Sequence, residues 1–467
     1  MTLTIVGGTV AALVAADTAA AAGLDVRLLL PRRNVGGGFA PLEVDGHRLD
    51  RGLRALELHY EGTGDPPPLA LYDPAGTGHR PFVRLVDAYV RGLAGADLVD
   101  LGEPALYWRG QLGPELLTTC DLRGLRAYLT AAEIDAVMRE PLANPSGLFA
   151  PGRAEGLADM PFAVASRLQH GSTLHNALIA PLAVKLRPDG ARDVPATLRR
   201  KLWLPIFHPR SLREAAAGGP MTFRPERPLC GIEPGGTGEL VTRLLARIEA
   251  APTATVRRID GVERIEAGPR PGSVSITPRG EAPVVAEDPI LALAPGELFA
   301  AAQIPYAADR VTSVLAWVDV AVEDVELMPA FVHVADLAVR VHRLSRGEVR
   351  DGRVTVCAEL AHDVAKDAAV SVTERALVRL GLVREDAGIR EIATFSGPTF
   401  TAPTFANRDA FTAARAALGE LGLAARCIGG VEAFGADSLN EQIMQGLQAG
   451  AAAAGPLSLA GPAQLAA

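Results

Sequence analysis

The chain has 467 residues, of which 48% are hydrophobic and 21% are charged, and its formal net charge at pH 7 is −8. At about 150 residues per domain, this length predicts two or three domain-sized units of a soluble globular protein. The negative charge argues against a general binder of nucleic acids or anionic membranes, and it suits a small-molecule site or a protein partner.

The spacing of cysteine and histidine gives no support for a disulfide framework or a metal site. The four cysteines lie far apart without a CxxC pair, which favours a reducing compartment, and we expect the protein to be cytoplasmic. None of the nine histidines stands in an HExxH or HxH pattern. No stretch approaches the run of about 20 apolar residues that a membrane span requires, so we expect no span.

The opening stretch IVGGTVAALVAADTAAAAGLDVRLLLPRR fills residues 5–33. It predicts a buried strand over Thr2–Val6, a glycine turn, an alanine-rich helix over Val10–Ala22 and a second strand over Asp25–Leu30. Gly23 is well placed to end the helix. A dinucleotide-binding βαβ unit begins in this way.

The next part of the chain predicts a hairpin over Leu42–Leu49, with Asp45-Gly46 at its turn. We expect loops over 60–80, helices at Arg84–Ala94 and Leu122–Met138, and mostly helix over 160–218. The Pro, Gly and Asn content of residues 140–160 predicts a linker or a lid.

The second half of the chain repeats the glycine-then-helix pattern at Gly235–Ala250. Antiparallel strands are predicted at Val256–Ile265 and Val274–Thr277, and alternating strands over 310–360. The remaining predictions are a buried strand at Pro289–Ala294, a helix at Glu374–Leu380, a last buried strand at Arg426–Gly430 and a last helix at Leu439–Ala453.

Five short stretches, in this order, resemble a known flavoprotein superfamily. They are IVGGTVAAL with DVRLLLPRRNVGG, VDGHRLDRG, PGGTGELVTRLLARI, RRIDGVERI and CIGGVEAFGADSLNEQIMQGLQAGAAAA. The pattern is similar to the FAD-containing amine oxidase, protoporphyrinogen oxidase and phytoene desaturase superfamily, and within it to the UDP-galactopyranose mutase-like branch. The resemblance spans nearly the whole chain.

The resemblance implies an α/β fold, with a Rossmann-like (GR2-type) FAD/NAD(P)-binding domain and a second, mixed α+β substrate domain. We expect the dinucleotide-binding domain to comprise residues 1–80, 220–295 and 395–455. The substrate domain would comprise residues 81–219 and 296–394, and residues 456–467 would form a flexible tail.

The resemblance also implies FAD as the cofactor and a set of residues that contact it. These residues are Gly7, Gly8, Thr9, Ala12, Arg32, Arg33, Gly36, Gly37, Gly38, Val262, Gly429, Gly430, Ser438, Leu439 and Asn440. Arg32 and Arg33 can bind a phosphate or form a solvated surface pair. Ser438 begins the capping-box pattern Ser-x-x-Glu, which caps a helix and can also direct that helix at the flavin ring.

Three positions depart from the family pattern. Thr9 replaces the second glycine of the GxGxxG turn. In the family pattern, that glycine lets the backbone approach a pyrophosphate. Leu30 replaces the acid that binds the adenosine ribose, and an absent charge-assisted hydrogen bond costs about 1.5–3 kcal/mol. Gly430 stands where relatives keep a polar side chain.

Two functions are compatible with this pattern. One is an FAD-dependent oxidoreductase, either amine oxidase/desaturase-like or sugar-nucleotide mutase-like, that acts on a small-molecule substrate. The other is a degenerate, flavin-free member that serves as a non-catalytic or partner subunit. A partner protein or a homo-oligomer is compatible with both.

The substrate-side candidates lie in VKLRPDG and RRKLWLPIFHPRSL. An anionic or nucleotide-bearing substrate suits Lys201, His208 and Arg210 beside the aromatic Trp203. Lys185, His208 and Arg210 are the catalytic candidates. The alternative is a helix–loop junction, in which Trp203 belongs to the core, His208 is an ordinary loop residue and the charges are exposed.

Overall fold

The N-terminal βαβ unit that the sequence predicts is present. In this computed structural model, which describes residues 2–53, 55–58, 79–141, 157–221, 229–423, 426–435 and 437–455, it consists of β1 (Thr2–Val6), α1 (Val10–Ala21) and β2 (Asp25–Pro31).

Within the described residues the other strands are, in chain order, β3 (Leu42–Val44), β4 (His47–Leu49), β5 (Leu56–Glu57), β6 (Leu98–Asp100), β7 (Ala105–Trp108), β8 (Gln111–Pro114), β9 (Leu229–Ile232), β10 (Ala254–Ile259), β11 (Val262–Ala267), β12 (Ser273–Pro278), β13 (Val284–Glu287), β14 (Ile290–Leu291), β15 (Arg310–Ala321), β16 (Phe331–Val334), β17 (Val341–Arg350), β18 (Arg353–Leu360), β19 (Arg390–Thr401) and β20 (Arg426–Cys427). The other α-helices of the same residues are α2 (His79–Ala94), α3 (Leu125–Tyr128), α4 (Ala131–Arg139), α5 (Phe162–Leu174), α6 (Ala180–Leu186), α7 (Pro209–Ala217), α8 (Gly236–Ala250), α9 (Pro295–Ala301), α10 (Ala369–Arg379), α11 (Phe405–Glu420) and α12 (Leu439–Ala454).

A five-stranded parallel sheet in the order β10-β2-β1-β14-β20 forms the Rossmann-like part. Residues 10–20 of α1 are all buried, because this helix packs against the sheet and against α8 and α12. Gly446 and Gly450 of α12 allow the close approach to α1. A Cβ atom on Gly446 would lie 2.6 Å from Val14 Cβ, and one on Gly450 would lie 2.7 Å from the carbonyl oxygen of Ala15.

A seven-stranded, mainly antiparallel sheet in the order β19-β15-β18-β17-β16-β7-β8 forms the second part. Helix α10 packs on this sheet, and helices α3 to α7 surround a separate hydrophobic cluster that includes Phe162 and Phe207. The predicted fold class, α/β with a Rossmann-like domain and a second mixed domain, is confirmed.

Several predicted elements differ in detail from the structure. The helix predicted over Leu122–Met138 is split, because Thr130 caps the separate helix α4 through a capping box with Glu133. The antiparallel strand predicted over Val256–Ile265 is wrong in its first half, since β10 pairs in parallel with β2 and only β11 pairs antiparallel with β12. The last strand ends at Cys427, and residues 429–431 form a 3₁₀ turn.

Three of the predicted domain limits fall inside regular elements, and one of them, at 295/296, lies in α9. The limit at 80/81 lies in α2, whose Tyr89 donates a 2.6 Å hydrogen bond to Asp17 of α1. Asp17 also pairs with Arg247 of α8 at 3.0 Å. The limit at 394/395 lies in β19, which pairs with β15. The division into domains stays a prediction, and residues 59–78, most of the predicted lid and the tail 456–467 lie outside the described residues.

Candidate ligand-binding cavity

A cavity of about 1490 Å³ lies where the carboxyl ends of the parallel strands face the seven-stranded sheet. On the parallel sheet, the segments that follow β1, β2, β14 and β20 line it. On the other sheet, residues of β15, β17, β18 and β19 line it. Ligands of open α/β sheets bind at the carboxyl ends of the strands. The lining residues used below are Thr9, Gly37, Gly38, Arg51, Leu53, Glu115, Lys201, Trp203, Arg310, Arg343, Glu359, Gly430, Asp437, Ser438, Leu439, Asn440 and Gln442.

Side chains of this chain bond the first backbone amides of α1. Thr9 is the N-cap residue, and its Oγ1 accepts a 3.3 Å hydrogen bond from the amide of Ala12. The amide of Ala11 donates to Oε1 of Gln442 at 3.4 Å. Gln442 belongs to α12, is 5% exposed and donates through Nε2 to the carbonyl of Asp437 at 3.1 Å. Two of the amide donors at this helix end are therefore engaged.

The glycine turn before α1 is shaped by packing between strands. Gly7 has a φ of 134°, and a Cβ atom there would lie 2.3 Å from the carbonyl oxygen of Ala292, which follows β14. Leu30 at the end of β2 has 0% exposure and lies against Gly8. The ribose position of the family pattern is thus occupied by an apolar side chain in the core.

The N-terminus of α12 is fixed by its own cap and by an ion pair. Ser438 and Glu441 form the capping box that the sequence predicts. Asp437 pairs with Lys201, which lies in the 3₁₀ helix Ala196–Leu202. This ion pair ties the two sides of the cavity together.

Trp203, Arg343 and Glu359 form a cluster at the cavity wall, in which Arg343 is buried and the other two are partly buried. The Arg343 guanidinium lies 4.5 Å from the centre of the Trp203 ring and makes two 2.6 Å hydrogen bonds to the Glu359 carboxylate. The amide of Leu53 also donates to Glu359, at 2.8 Å. Burial alone would raise the pKa of Glu359, but Arg343 and His342 hold it well below its ordinary value. The carboxylate is therefore charged and fixed in place.

A second buried carboxylate, Glu115, also lines the cavity. It accepts a 3.0 Å hydrogen bond from His333 Nδ1 and bonds from the amides of Leu117, Thr118 and Thr119. Burial raises the pKa of Glu115, whereas His333 and the backbone amides lower it, and the net direction is downward. These contacts stabilise the loop after β8 along the cavity.

Basic side chains are frequent in the cavity wall. Arg343 is paired with Glu359, and Lys201 is paired with Asp437. Arg51 Nε is buried and has no hydrogen-bond partner within the described part of the chain. The exposed side chain of Arg310 lines the same cavity. Seven basic and six acidic side chains line the cavity in all, and Arg51 and Arg310 are basic groups outside these two ion pairs.

One part of the predicted cofactor residues lines the cavity, and the rest does not. The cavity is lined by Thr9, Gly37, Gly38, Gly430, Ser438, Leu439 and Asn440, but not by Gly7, Gly8, Ala12, Arg32, Arg33, Gly36, Val262 or Gly429. Arg32 is exposed and pairs with Asp260 at 3.0 Å. These residues stay predictions as cofactor contacts.

Of the predicted substrate-contacting residues, Lys201 and Trp203 line the cavity. The three catalytic candidates, Lys185, His208 and Arg210, do not line it. His208 caps α7 by accepting from the amide of Arg210, and Arg210 pairs with Glu214 on the surface. Lys185 is 1% exposed and donates to the carbonyls of Val334 and Asp336 at 2.6 and 2.8 Å. As catalytic residues, Lys185, His208 and Arg210 stay predictions.

Sequence reasoning missed the residues whose contacts organise the cavity. The sequence does not single out Arg51, Arg343, Glu359 or Gln442. No local motif marks Arg343 or Glu359, and Arg51 is the unspecified residue between Asp50 and Gly52 in the second resembling stretch. Gln442 lies in the last of the five resembling stretches, and its position four residues after Ser438 is the one signal that would have placed it near α1.

Within the part of the chain that the structure describes, no helix is both long and apolar enough to cross a membrane. No group of three or more His, Cys, Asp or Glu side chains in those same ranges could hold a metal ion.

Comparison with known proteins shows what this fold resembles. A family model for the NAD(P)-binding Rossmann-like domain matches residues 5–63. No curated protein matches the chain by sequence.

Solved structures match over almost the whole chain. The crystal structure of reduced UDP-galactopyranose mutase has a TM-score of 0.67 and 13% identity, and the match covers 99% of this chain and 98% of that one. Putrescine oxidase bound to putrescine has a TM-score of 0.55 and 15% identity, with coverage of 97% and 99%. A fatty acid isomerase from P. acnes that produces CLA has a TM-score of 0.54 and 14% identity, with coverage of 95% and 96%. The predicted resemblance to this superfamily is confirmed at the level of the fold.

Proposed function

We propose that this chain binds an anionic small molecule in the central cavity. The single observation that carries this proposal is Arg51, whose buried Nε faces no acceptor within the described residues. A buried donor without a partner costs about 1–3 kcal/mol, and the Arg51 side chain, which lines the cavity, can offset this cost by turning its guanidinium towards a ligand oxygen.

The rest of the cavity wall suits the same class of ligand. Arg310 adds an exposed guanidinium, and Trp203 supplies an aromatic surface that Arg343 holds in position. Arginine is suited to phosphate and carboxylate groups because its planar fork donates two parallel hydrogen bonds. UDP-galactopyranose mutase shares the fold, so a sugar nucleotide such as UDP-galactose is the first ligand to test.

The test is calorimetric titration of the native protein and of Arg51→Met with UDP-galactose, and with galactose as the uncharged comparison. We expect the native protein to bind the sugar nucleotide and Arg51→Met to bind it at least about tenfold more weakly, since a hydrogen bond to a charged group contributes about 1.5–3 kcal/mol.

Arg270→Met is the matched control, because Arg270 is exposed, pairs with Glu287 and does not line the cavity. It should leave the affinity unchanged. Equal affinity of the native and Arg51→Met proteins for every phosphate-bearing or carboxylate-bearing ligand tested would refute the proposal.

The flavin-dependent reaction that the resemblance implies needs separate consideration. The fold likeness supports it, and Gly37, Gly38 and Gly430 line the cavity as such a reaction would require. Bound FAD would supply hydride or electron transfer. The residues at α1 do not fit this cofactor, because Thr9 and Gln442 bond the amides of Ala12 and Ala11 and because Leu30 offers no acceptor to a ribose. We therefore favour a flavin-free member of this fold as the protein that binds the ligand.

A further inference from the structure

We infer that Thr9, Gln442 and Leu30 close the dinucleotide position of this fold, so that the chain folds without FAD and does not take it up. The inference is independent of the anionic ligand proposed for the cavity. It rests on three side chains from different elements, of which Thr9 and Gln442 lie at the N-terminus of α1 and Leu30 lies at the end of β2.

The first step concerns the amide donors of α1. A helix N-terminus binds phosphate through its free N–H groups and its partial positive charge. Here Oγ1 of Thr9 accepts from the amide of Ala12, and Oε1 of Gln442 accepts from the amide of Ala11. A pyrophosphate would have to displace both side chains and would leave the buried Gln442 amide without one of its partners.

The second step concerns space. Glycine is used at this position of the fingerprint because the backbone must approach the pyrophosphate closely. Thr9 places a β-branched side chain there, and its cap geometry directs Oγ1 across the helix end. The loop after β2 is also bonded to the turn, since the amide of Gly36 donates to the carbonyl of Gly8 at 2.6 Å.

The third step concerns the adenosine half. The resemblance assigns the ribose to the position of Leu30 and the adenine to the strand that begins at Val262. Leu30 has 0% exposure, and neither residue lines the cavity. Arg32, which could have bound a phosphate, pairs with Asp260 instead. The cavity is thus lined by residues that the resemblance assigns to the flavin half of the cofactor, such as Ser438 and Leu439. It is not lined by Leu30 or Val262, at the positions assigned to the adenosine half.

The experiment is a titration of the purified protein with FAD, followed by flavin fluorescence and by the melting temperature. The native protein should be colourless, should not quench added FAD and should not be stabilised by it. The triple variant Thr9→Gly, Leu30→Glu, Gln442→Ala should bind FAD at least a hundredfold more tightly than the native protein does.

Two further variants serve as controls. Thr9→Ser keeps the hydroxyl cap and should reject FAD as the native protein does. Thr404→Gly removes an equivalent threonine cap, from the amide of Asn407 in α11, and should lower the melting temperature without opening the site.

Two outcomes would overturn the inference. One is a native protein that carries stoichiometric flavin or binds added FAD at micromolar concentration. This result decides the matter even if the triple variant does not fold. The other is a folded triple variant that still rejects FAD, which would show that these three side chains are not what closes the site. Neither outcome depends on whether UDP-galactose binds.

Discussion

At the scale of single residues, Lys185 shows how a chemically attractive side chain can be structural. Its ammonium group is buried and bonds two backbone carbonyls, and burial lowers its pKa to about 7. A lysine of the unfolded chain has a pKa near 10.4, so between about pH 7 and pH 10 the unfolded state binds more protons than the folded state. Stability contributed by this residue therefore rises with pH across that window.

We predict that Lys185→Met removes this pH dependence. The difference in unfolding free energy between the native protein and the variant should change by about 1.4 kcal/mol per pH unit above pH 7. Urea unfolding at pH 7, 8 and 9 measures it. Lys366→Met, at an exposed lysine, should give a difference that stays constant with pH. A difference in unfolding free energy between the native protein and Lys185→Met that is the same at pH 7, 8 and 9 would contradict the prediction.

Arg343 and Glu359 show which residue-scale contacts the sequence could not reveal. The Asp351-Gly352 turn predicts a hairpin between β17 and β18, and in the register next to this turn Arg343 would lie opposite Leu360. A bulge between Arg346 and Val349 shifts the register by one residue and brings Glu359 opposite Arg343. Because the side chains of a strand alternate between faces, this shift decides whether the ion pair forms.

At the scale of elements, the contact between α1 and α12 depends on two glycines. Alanine normally stabilises a helix relative to glycine by about 0.5–1 kcal/mol. At Gly446, however, the added Cβ would lie 2.6 Å from Val14 Cβ and 2.7 Å from the carbonyl oxygen of Ala11. The gain in helix propensity is then smaller than the cost of the overlap.

We predict different changes in the free energy of unfolding for two glycine-to-alanine substitutions. Gly446→Ala should destabilise the protein by about 1–3 kcal/mol through overpacking. Gly419→Ala, in the last turn of α11 with no neighbouring atom within 4 Å of the new Cβ, should be neutral or stabilising. Thermal unfolding of both variants measures this. A stabilised Gly446→Ala protein would show that the two helices can move apart freely.

The predicted elements succeeded where one period of hydrophobicity persisted and failed where a short turn interrupted it. Helices α1, α8 and α12 could be predicted because alanine-rich or amphipathic runs begin after clear glycine or serine signals. The sequence predicts one strand over Val256–Ile265, but Asp260-Gly261 divides this segment between two sheets. Sheet membership depends on partners far away in the chain, which local periodicity does not contain.

At the scale of the whole molecule, the order of the five resembling stretches was sufficient to predict the fold, but not the cavity. A parallel sheet with the order β10-β2-β1-β14-β20 requires distant segments to converge, and the glycine turns mark most of them. One side of the cavity wall comes instead from β15, β17, β18 and a 3₁₀ segment that carry no shared motif. The overall charge of −8 also gives no indication that Arg51 and Arg310 line that wall.

We predict that a chain ending at Asp437, which lacks α12, does not form the Rossmann-like part. Helix α1 would lose the element that covers it and the Gln442 contact at its N-terminus. Circular dichroism melting and binding of a hydrophobic dye measure the effect, and we expect a broad melt and strong dye binding. A sharp, native-like melt of the shortened chain would contradict the prediction.

The packing of α1 against α12 also depends on the order in which the chain is synthesised. Roughly 420 residues separate the two helices, so at roughly 5–20 residues per second α1 leaves the ribosome some 20–80 s before its partner exists. During that interval the face of α1 that packs on α12 has no partner, although β1, β2 and α8 have already been made. The first unit of the fold is therefore completed only when α12 has been synthesised.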